Sequence, residues 1–405
     1  MNHPLQRPHR WDQIGFGLVS ILVFLIPWGD MLLLPMEVQA SRVFTLAATA
    51  AWIPLLWRRR KMRPLESPHI LMLLFVLWAG INIMESAEPE RTLRRVLSYM
   101  QLFLDAWIIH QCLQSAGRLE KLLAAWLLGC YVCAAGVLYN FSRNVYQGDG
   151  RYTAPGFDPN DLAVTLVLGI PVAWYLSLRN LPYKWIYRLY MPFAIAAILL
   201  TASRGALVTL SVVLLYPLTT IPKTSAKALA GIVLLAVLSS AAVMQFSSEI
   251  SFRRLSTIAD QLSARDLNGR IDIWQRGYEA FLERPLMGAG AGGFGTAVGA
   301  RRGRELAAHN TLLGILVEHG LIGLALFLGI CLALLRRTRR MPPPEARLWF
   351  FLLLGWGVAV TTLSWENREM TWLLWGLCAA GAIRIRKRVP QTVLWRYYGP
   401  VPSAS

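Results

Sequence analysis

Residues 309–340 read HNTLLGILVEHGLIGLALFLGICLALLRRTRR. Between Thr311 and Leu335 only Glu318 and His319 interrupt an apolar run longer than the roughly 20 residues a helix needs to cross a bilayer. Arg336, Arg337, Arg339 and Arg340 follow at once, and such a block of cations keeps its end of a span on the cytoplasmic side. The other end opens on His309 and Asn310. This run therefore reads as an oriented membrane helix with a titratable side chain at its outer end.

The rest of the chain repeats the pattern. Of 405 residues, 55% are hydrophobic and 16% charged, which fits neither a soluble globular enzyme nor a disordered chain. Further apolar runs lie at 13–34, 38–57, 68–84, 96–113, 121–140, 158–177, 189–203, 205–221, 228–245, 347–364 and 369–385. They predict an all-α polytopic membrane protein of about twelve transmembrane helices, a single integral membrane domain over 1–405. The first run follows Arg7 and Arg10, and Val38-Gln39-Ala40 resembles a signal cleavage site. The run is longer than a signal core, however, and many more follow, so it reads as a retained span.

The net charge of +18 would suit nucleic acid were it not divided among long apolar runs. Fifteen basic residues instead form three clusters: Arg58, Arg59, Arg60, Lys61 and Arg63; Arg336, Arg337, Arg339, Arg340 and Arg347; Arg384, Arg386, Lys387, Arg388 and Arg396. All six lysines fall on the same side as these clusters. An even number of spans then places both termini, including a tail at 386–405, in the cytoplasm.

On the opposite face the long segments are 141–157 and a large periplasmic loop at 246–308, the latter with nine arginines, seven carboxylates and no lysine. A loop of that length is usually functional. Residues 269–283 have helical periodicity, with Ile271, Trp274, Tyr278 and Phe281 on one face and Pro285 as a stop, which predicts an amphipathic helix near the membrane surface. Gly288-Ala289-Gly290-Ala291-Gly292-Gly293 satisfies G-x-G-x-x-G but lacks the strand of a dinucleotide fold, so it reads as a mobile hinge. The five cysteines all fall in spans and read as small packing residues, Cys130 and Cys133 included.

Four polar clusters stand at the outer ends of spans, where ionisable groups are costly and are kept for a partner or a substrate. Residues 150–161 carry Arg151, Asp158, Asn160 and Asp161; Asp158 or Asn160 either caps the following helix or binds sugar hydroxyls or phosphate. Asp158 and Asp161 offer too few oxygens for a divalent cation, so no metal is expected. Ser203-Arg204-Gly205 splits one long apolar stretch, and Arg204 either snorkels to the interface or projects outward, where a guanidinium fork suits a phosphate. Arg270 and Trp274 share a helix face, and a cation in a first turn is disfavoured by the helix dipole unless it serves an anion or forms a surface salt bridge to Asp266 or Asp272. His309 and Asn310 complete the set, His309 being able to titrate near neutral pH.

In this order, Gly156-Phe157-Asp158-Pro159-Asn160, Ser203-Arg204-Gly205, Arg270 with Trp274, Pro285-Leu286-Met287-Gly288-Ala289-Gly290, and His309-Asn310 followed by Gly320 and Gly323 resemble the O-antigen ligase and polymerase superfamily of bacterial membrane glycosyltransferases. The spacing from His309 to Gly320 is most similar to the ligases proper. The resemblance implies a GT-C-like fold with a periplasmic active site in the inner membrane of a Gram-negative bacterium. It also implies transfer of O-antigen from undecaprenyl diphosphate to a sugar hydroxyl of the lipid A core oligosaccharide, with inversion and without metal, ATP or another cofactor. The residues fit that chemistry: Arg204 and Arg270 to hold the charge of a departing diphosphate, His309 to take the acceptor proton, and Asp158, Asn160, Arg151, Ser203, Trp274 and Asn310 to bind substrate. Alternatives are an O-antigen polymerase, a protein O-oligosaccharyltransferase, and a transporter or flippase using the buried polar residues Asp105, His110, Glu318 and His319.

Overall fold

Helices occupy the apolar runs in a computed structural model that describes residues 10–34, 38–59, 62–147, 150–220, 230, 234, 270–299 and 306–385. In chain order they are α1 (Arg10–Leu25), α2 (Ala40–Arg59), α3 (Ser67–Ile81), α4 (Pro89–Cys112), α5 (Ala116–Ser142), α6 (Pro159–Leu178), α7 (Lys184–Leu200), α8 (Arg204–Val213), α9 (Arg270–Glu283), α10 (Thr311–Thr338), α11 (Pro343–Ala359) and α12 (Glu369–Ile385). Short helical turns stand at Ile26–Met31, Leu215–Leu218 and Phe294–Ala297, and a two-residue antiparallel bridge pairs Leu33–Leu34 with Val38–Gln39. The apolar run at 228–245 lies almost wholly outside the described residues, as do the tail 386–405 and much of 246–308.

Among the described residues, five helical stretches are long and apolar enough to cross a membrane: Asp12–Met31, Ser67–Glu85, Ala116–Ser142, Pro159–Leu178 and Thr311–Thr338. The chain is an integral membrane protein. The helices α7, α11 and α12 are 17 residues each, about 25 Å of rise against roughly 30 Å of hydrocarbon. The longer α4 carries Glu90, Arg91, Arg94 and Arg95 in its first turns. The first helix packs on α2 and α5, with Val19, Leu22 and Val23 fully buried.

The centre of the bundle is α6, apolar on every side and buried almost throughout, as a helix surrounded by other helices must be. Asp158 caps it by accepting from the Asn160 and Asp161 amides, and Pro159 occupies the first helical position, where its missing N–H costs nothing. Ser203 and Asn310 cap α8 and α10 in the same way. Cys130 and Cys133 are buried without a disulfide, Cys133 donating to the Pro27 carbonyl at 2.9 Å.

Contacts at the two ends show that α1 to α8 alternate up and down, as do α10 to α12. At one end Asp12 pairs with Arg118, Glu66 with Arg337 at 2.7 Å, and Glu120 with Arg179 at 2.7 Å. Arg63 donates to the carbonyls of His110 and Leu113 there, and burial lowers its pKa to about 10. Lys121 and Lys184 fall at this basic end, in the first turns of α5 and α7. The four polar clusters gather at the other end, ~40 Å away along α10.

Two features differ from the sequence expectation. The tenth run is not one straight helix: Gly320, at φ 64° and ψ −166°, breaks α10. The glycine-rich segment 288–293 is not a mobile hinge but a buried plug set into that break. Ala289 and Gly290 donate to the carbonyls of Val317 and Glu318 at 2.8 and 3.0 Å, and Leu321 donates to the Pro285 carbonyl at 2.8 Å. The Glu318 carboxylate closes the joint by accepting from the amides of Gly292 and Phe294. Glycines are used because backbone meets backbone here, not because the segment must move.

Candidate active site

The α6 N-terminus organises the polar end. Asn160 Oδ1 accepts from Arg151 Nη2 at 2.8 Å and from Ser203 Oγ at 3.0 Å, while Arg151 Nε donates to the Thr201 carbonyl at 2.7 Å. The first two clusters are thereby one hydrogen-bonded unit joining loop 150–158 to the α7–α8 turn. Arg151 is only 6% exposed, and its side chain holds this frame together. Gly156, at φ 79°, lets the loop cross the end of the first helical region: a Cβ there would lie 2.2 Å from the Asp30 carbonyl oxygen.

The third and fourth clusters meet across the α11–α12 turn. Arg270 Nη1 reaches the Thr362 carbonyl at 3.3 Å, and Trp274 Nε1 donates to the Ala308 carbonyl at 2.8 Å. Asp272 pairs with Arg276 at 2.8 Å, so that carboxylate is engaged away from Arg270; Asp266 lies outside the described residues. The amphipathic helix α9 is present, but its packing face differs from the expected one. Ile273, Ala280 and Phe281 pack with Phe294, Val298, Ala308 and Val317, beside buried Gly277, whereas Ile271 and Tyr278 face outward.

His309 lies in the left-handed region at φ 46°, as does Ala202 beside Ser203 at φ 49°. Non-glycine residues in that region cluster at functional sites. The His309 amide donates to Ser364 Oγ at 3.1 Å, and Thr311 N–H donates to the Val360 carbonyl at 2.9 Å, so the turn is fixed and its imidazole half-buried. Burial lowers the His309 pKa below its ordinary value, and the Arg270 charge lowers it further against the opposing pull of Asp158 and Asp161. Burial lowers the Arg270 pKa as well, with Arg204 adding to that and Asp158 opposing it. Arg270 therefore lies in the field of Arg204, and His309 in that of Arg270, with Asp158 acting on both Arg270 and His309.

A cavity of about 460 Å³ opens beside His309. Asp158 and His309 are the predicted residues that line it; Arg151, Asn160, Ser203, Arg204, Arg270, Trp274 and Asn310 stand outside its wall. Several of its lining groups were not among the sequence candidates: Asp30, Arg91, Arg95, Glu366 and Arg368. Arg368 Nη2 pairs with Asp161, Arg368 Nη1 lies 3.3 Å from Asp30, and Trp365 Nε1 donates to Asp161 at 2.8 Å. Burial alone would lower the Arg368 pKa, but Asp161, Asp30 and Glu366 outweigh it and hold the guanidinium above its ordinary value. The signal was present in Trp365-Glu366-Asn367-Arg368-Glu369, a polar turn between two apolar runs, and in Arg91, Arg94 and Arg95 at the outer end of α4. Among the described residues no three metal-ligating side chains converge.

Residues 189–328 match the family model described as O-antigen ligase. This part of the chain is similar to that family. The match takes in Ser203, Arg204, Arg270, Trp274, His309 and Gly320, while Arg151, Asp158 and Asn160 precede it. Over its whole length the chain is also similar to the exopolysaccharide production protein ExoQ of Rhizobium meliloti (strain 1021), at 26% identity over 435 residues, covering 96% of this chain and 93% of that one.

Proposed function

We propose that the protein is an O-antigen ligase that transfers O-antigen from undecaprenyl diphosphate to a sugar hydroxyl of the lipid A core at the periplasmic face of the inner membrane. In this reading the bundle crosses the membrane about twelve times with both termini cytoplasmic. The observation that carries it is the joining of His309, Arg270 and Arg204 at one end of the bundle, with His309 on the wall of a polar cavity.

The chemistry is a single displacement. The acceptor hydroxyl oxygen forms a bond to the anomeric carbon, the bond from that carbon to the diphosphate breaks, and inversion follows from attack opposite the leaving group. His309, held neutral at neutral pH by burial and by Arg270, takes the hydroxyl proton. Arg204 and Arg270 stabilise the charge that collects on undecaprenyl diphosphate as it leaves. Asp158 lines the cavity as a hydrogen-bond acceptor for sugar hydroxyls. Asn160, Arg151, Ser203, Trp274 and Asn310 position the walls. The sugar diphosphate is already activated, so these residues supply what the step needs without metal or ATP.

The similarity to an exopolysaccharide production protein favours one second reading, a polymerase that lengthens lipid-linked chains. Purified protein supplied with undecaprenyl-diphosphate-linked O-antigen, with and without lipid A core, separates the two. Product that forms only with core supports ligation; lipid-linked chains that lengthen without core overturn it.

A further inference from the structure

One face of α4 bears a polar stripe that the mechanism above does not use. Arg91, Arg94, Arg95, Ser98 and Gln101 recur at spacings of three and four residues and line one side of a groove of about 600 Å³, together with Glu88, Leu97 and Asn367. Arg91, Arg95, Ser98 and Gln101 also line the cavity beside His309, so groove and cavity share a wall. On the inward side of α4, Thr92, Val96, Tyr99 and Leu102 are buried in the bundle. On its third side Leu93, Leu97 and Met100 are 48, 54 and 49% exposed, an apolar surface suited to lipid tails. The arginine stripe thus lies between the bilayer and the reaction chamber.

Three cations in the first turns of a helix oppose its dipole. Glu88 lies 3.6 Å from Arg91 and Glu366 lies 3.6 Å from Arg95, so ion pairs hold two of the three at the rim of the groove. The charge is also divided by place. The groove carries three arginines against one carboxylate, whereas the cavity beyond it sets Asp30, Asp158, Asp161, Glu318, Glu366 and Glu369 against Arg91, Arg95 and Arg368. Guanidinium forks match phosphate oxygens; carboxylates match sugar hydroxyls.

We propose that the α4 stripe, Arg91 and Arg94 foremost, is the docking site for the phosphate of the lipid-borne acceptor, which enters sideways past Leu93 and Leu97 and extends its sugars into the carboxylate-lined cavity toward His309. The inference rests on the glycosyltransferase reading for the word acceptor. It gives the two lipid substrates separate phosphate sites on opposite sides of the chamber, the donor's at Arg204 and Arg270 and the acceptor's on α4.

The test is a binding titration of the detergent-solubilised full chain, read by tryptophan fluorescence, with four probes: hexa-acylated lipid A bearing both phosphates, the same lipid after phosphatase treatment, undecaprenyl phosphate, and phosphatidylglycerol. Phosphorylated lipid A should bind about tenfold or more tightly than its dephosphorylated form, the scale of a charge-assisted hydrogen bond. Arg91→Gln/Arg94→Gln should erase that preference, and Arg91→Lys/Arg94→Lys should restore part of it. In turnover the same Gln variant should raise the acceptor KM and leave the donor KM unchanged. Loss of undecaprenyl phosphate binding with lipid A binding intact would assign the stripe to the donor and overturn the proposal. Equal binding of phosphatidylglycerol would make it a general lipid contact and overturn it too. Because binding is read without turnover, an inactive protein with an arginine-dependent phosphate preference sinks the ligase reading alone. Active ligation with an unchanged acceptor KM in the Gln variant sinks this one alone.

Discussion

Gly320 presses against Leu286 so closely that a Cβ on it would stand 2.2 Å from the Leu286 carbonyl oxygen. Its backbone also occupies a region open almost only to glycine, at a cost of about 1–3 kcal/mol for other residues. Gly320→Ala should therefore expel the plug from the break in α10, lower the unfolding temperature and abolish transfer. Gly357→Ala in α11, where nothing lies within 4 Å of an added Cβ, is the matched control and should leave both unchanged or raise stability slightly. Equal behaviour in the two variants would show that Gly320 does not fix the plug.

His309→Gln and Arg204→Ala should insert and fold normally while slowing transfer. Loss of a general base costs about 10²–10⁴-fold and loss of a cation at the leaving group about 10²–10³-fold. In cells, gel analysis of lipopolysaccharide should show uncapped core and O-antigen retained on its carrier. Wild-type capping in both variants would remove these residues from the mechanism.

The pH profile tests the coupling of His309 to Arg270. Activity needs the unprotonated imidazole, so it should hold at neutral pH and fall only as pH drops through a pKa below the usual 6.5 or so. Arg270→Gln removes a charge that depresses this pKa, so the acid limb should move to higher pH as well as to lower rate. Asp158→Asn removes an opposing charge and should move the limb the other way. A limb that stays in place in both variants would show that another group titrates.

Asn160→Leu should destabilise the protein by about 1–3 kcal/mol, since it removes the acceptor shared by Arg151 Nη2 and the Ser203 hydroxyl. Thermal unfolding of the purified protein measures this, and Arg151→Leu/Asn160→Leu, which removes both partners, should cost less than the sum of the singles. Additive losses would mean that the two side chains do not depend on each other.

What the sequence revealed depended on how far away each residue's partner lies. Asp158 could be read as a helix-start residue because a cap bonds amides two or three positions on, whereas the same role of Ser203 and Asn310 was not read. The basic clusters at Arg58–Arg63 and Arg336–Arg340 were legible because insertion acts on loops one at a time. The roles of Arg368 and Asp30 were hidden, since Arg368 meets carboxylates 207 and 338 positions away. Gly288–Gly293 was misread for the same reason: glycines that permit motion and glycines that permit close packing look alike until the receiving backbone of Val317–Leu321 is in place.

That joint also sets an order of assembly. Residues 285–293 leave the ribosome before the helix whose break receives them, and α10 reaches the bilayer as an apolar segment with nothing yet filling its gap. The amides of Ala289, Gly290 and Gly292 find their acceptors only once both pieces have been delivered, so the chamber wall is completed after insertion. Maturation of the site is thus a post-insertion docking event, distinct from the threading of the helices themselves.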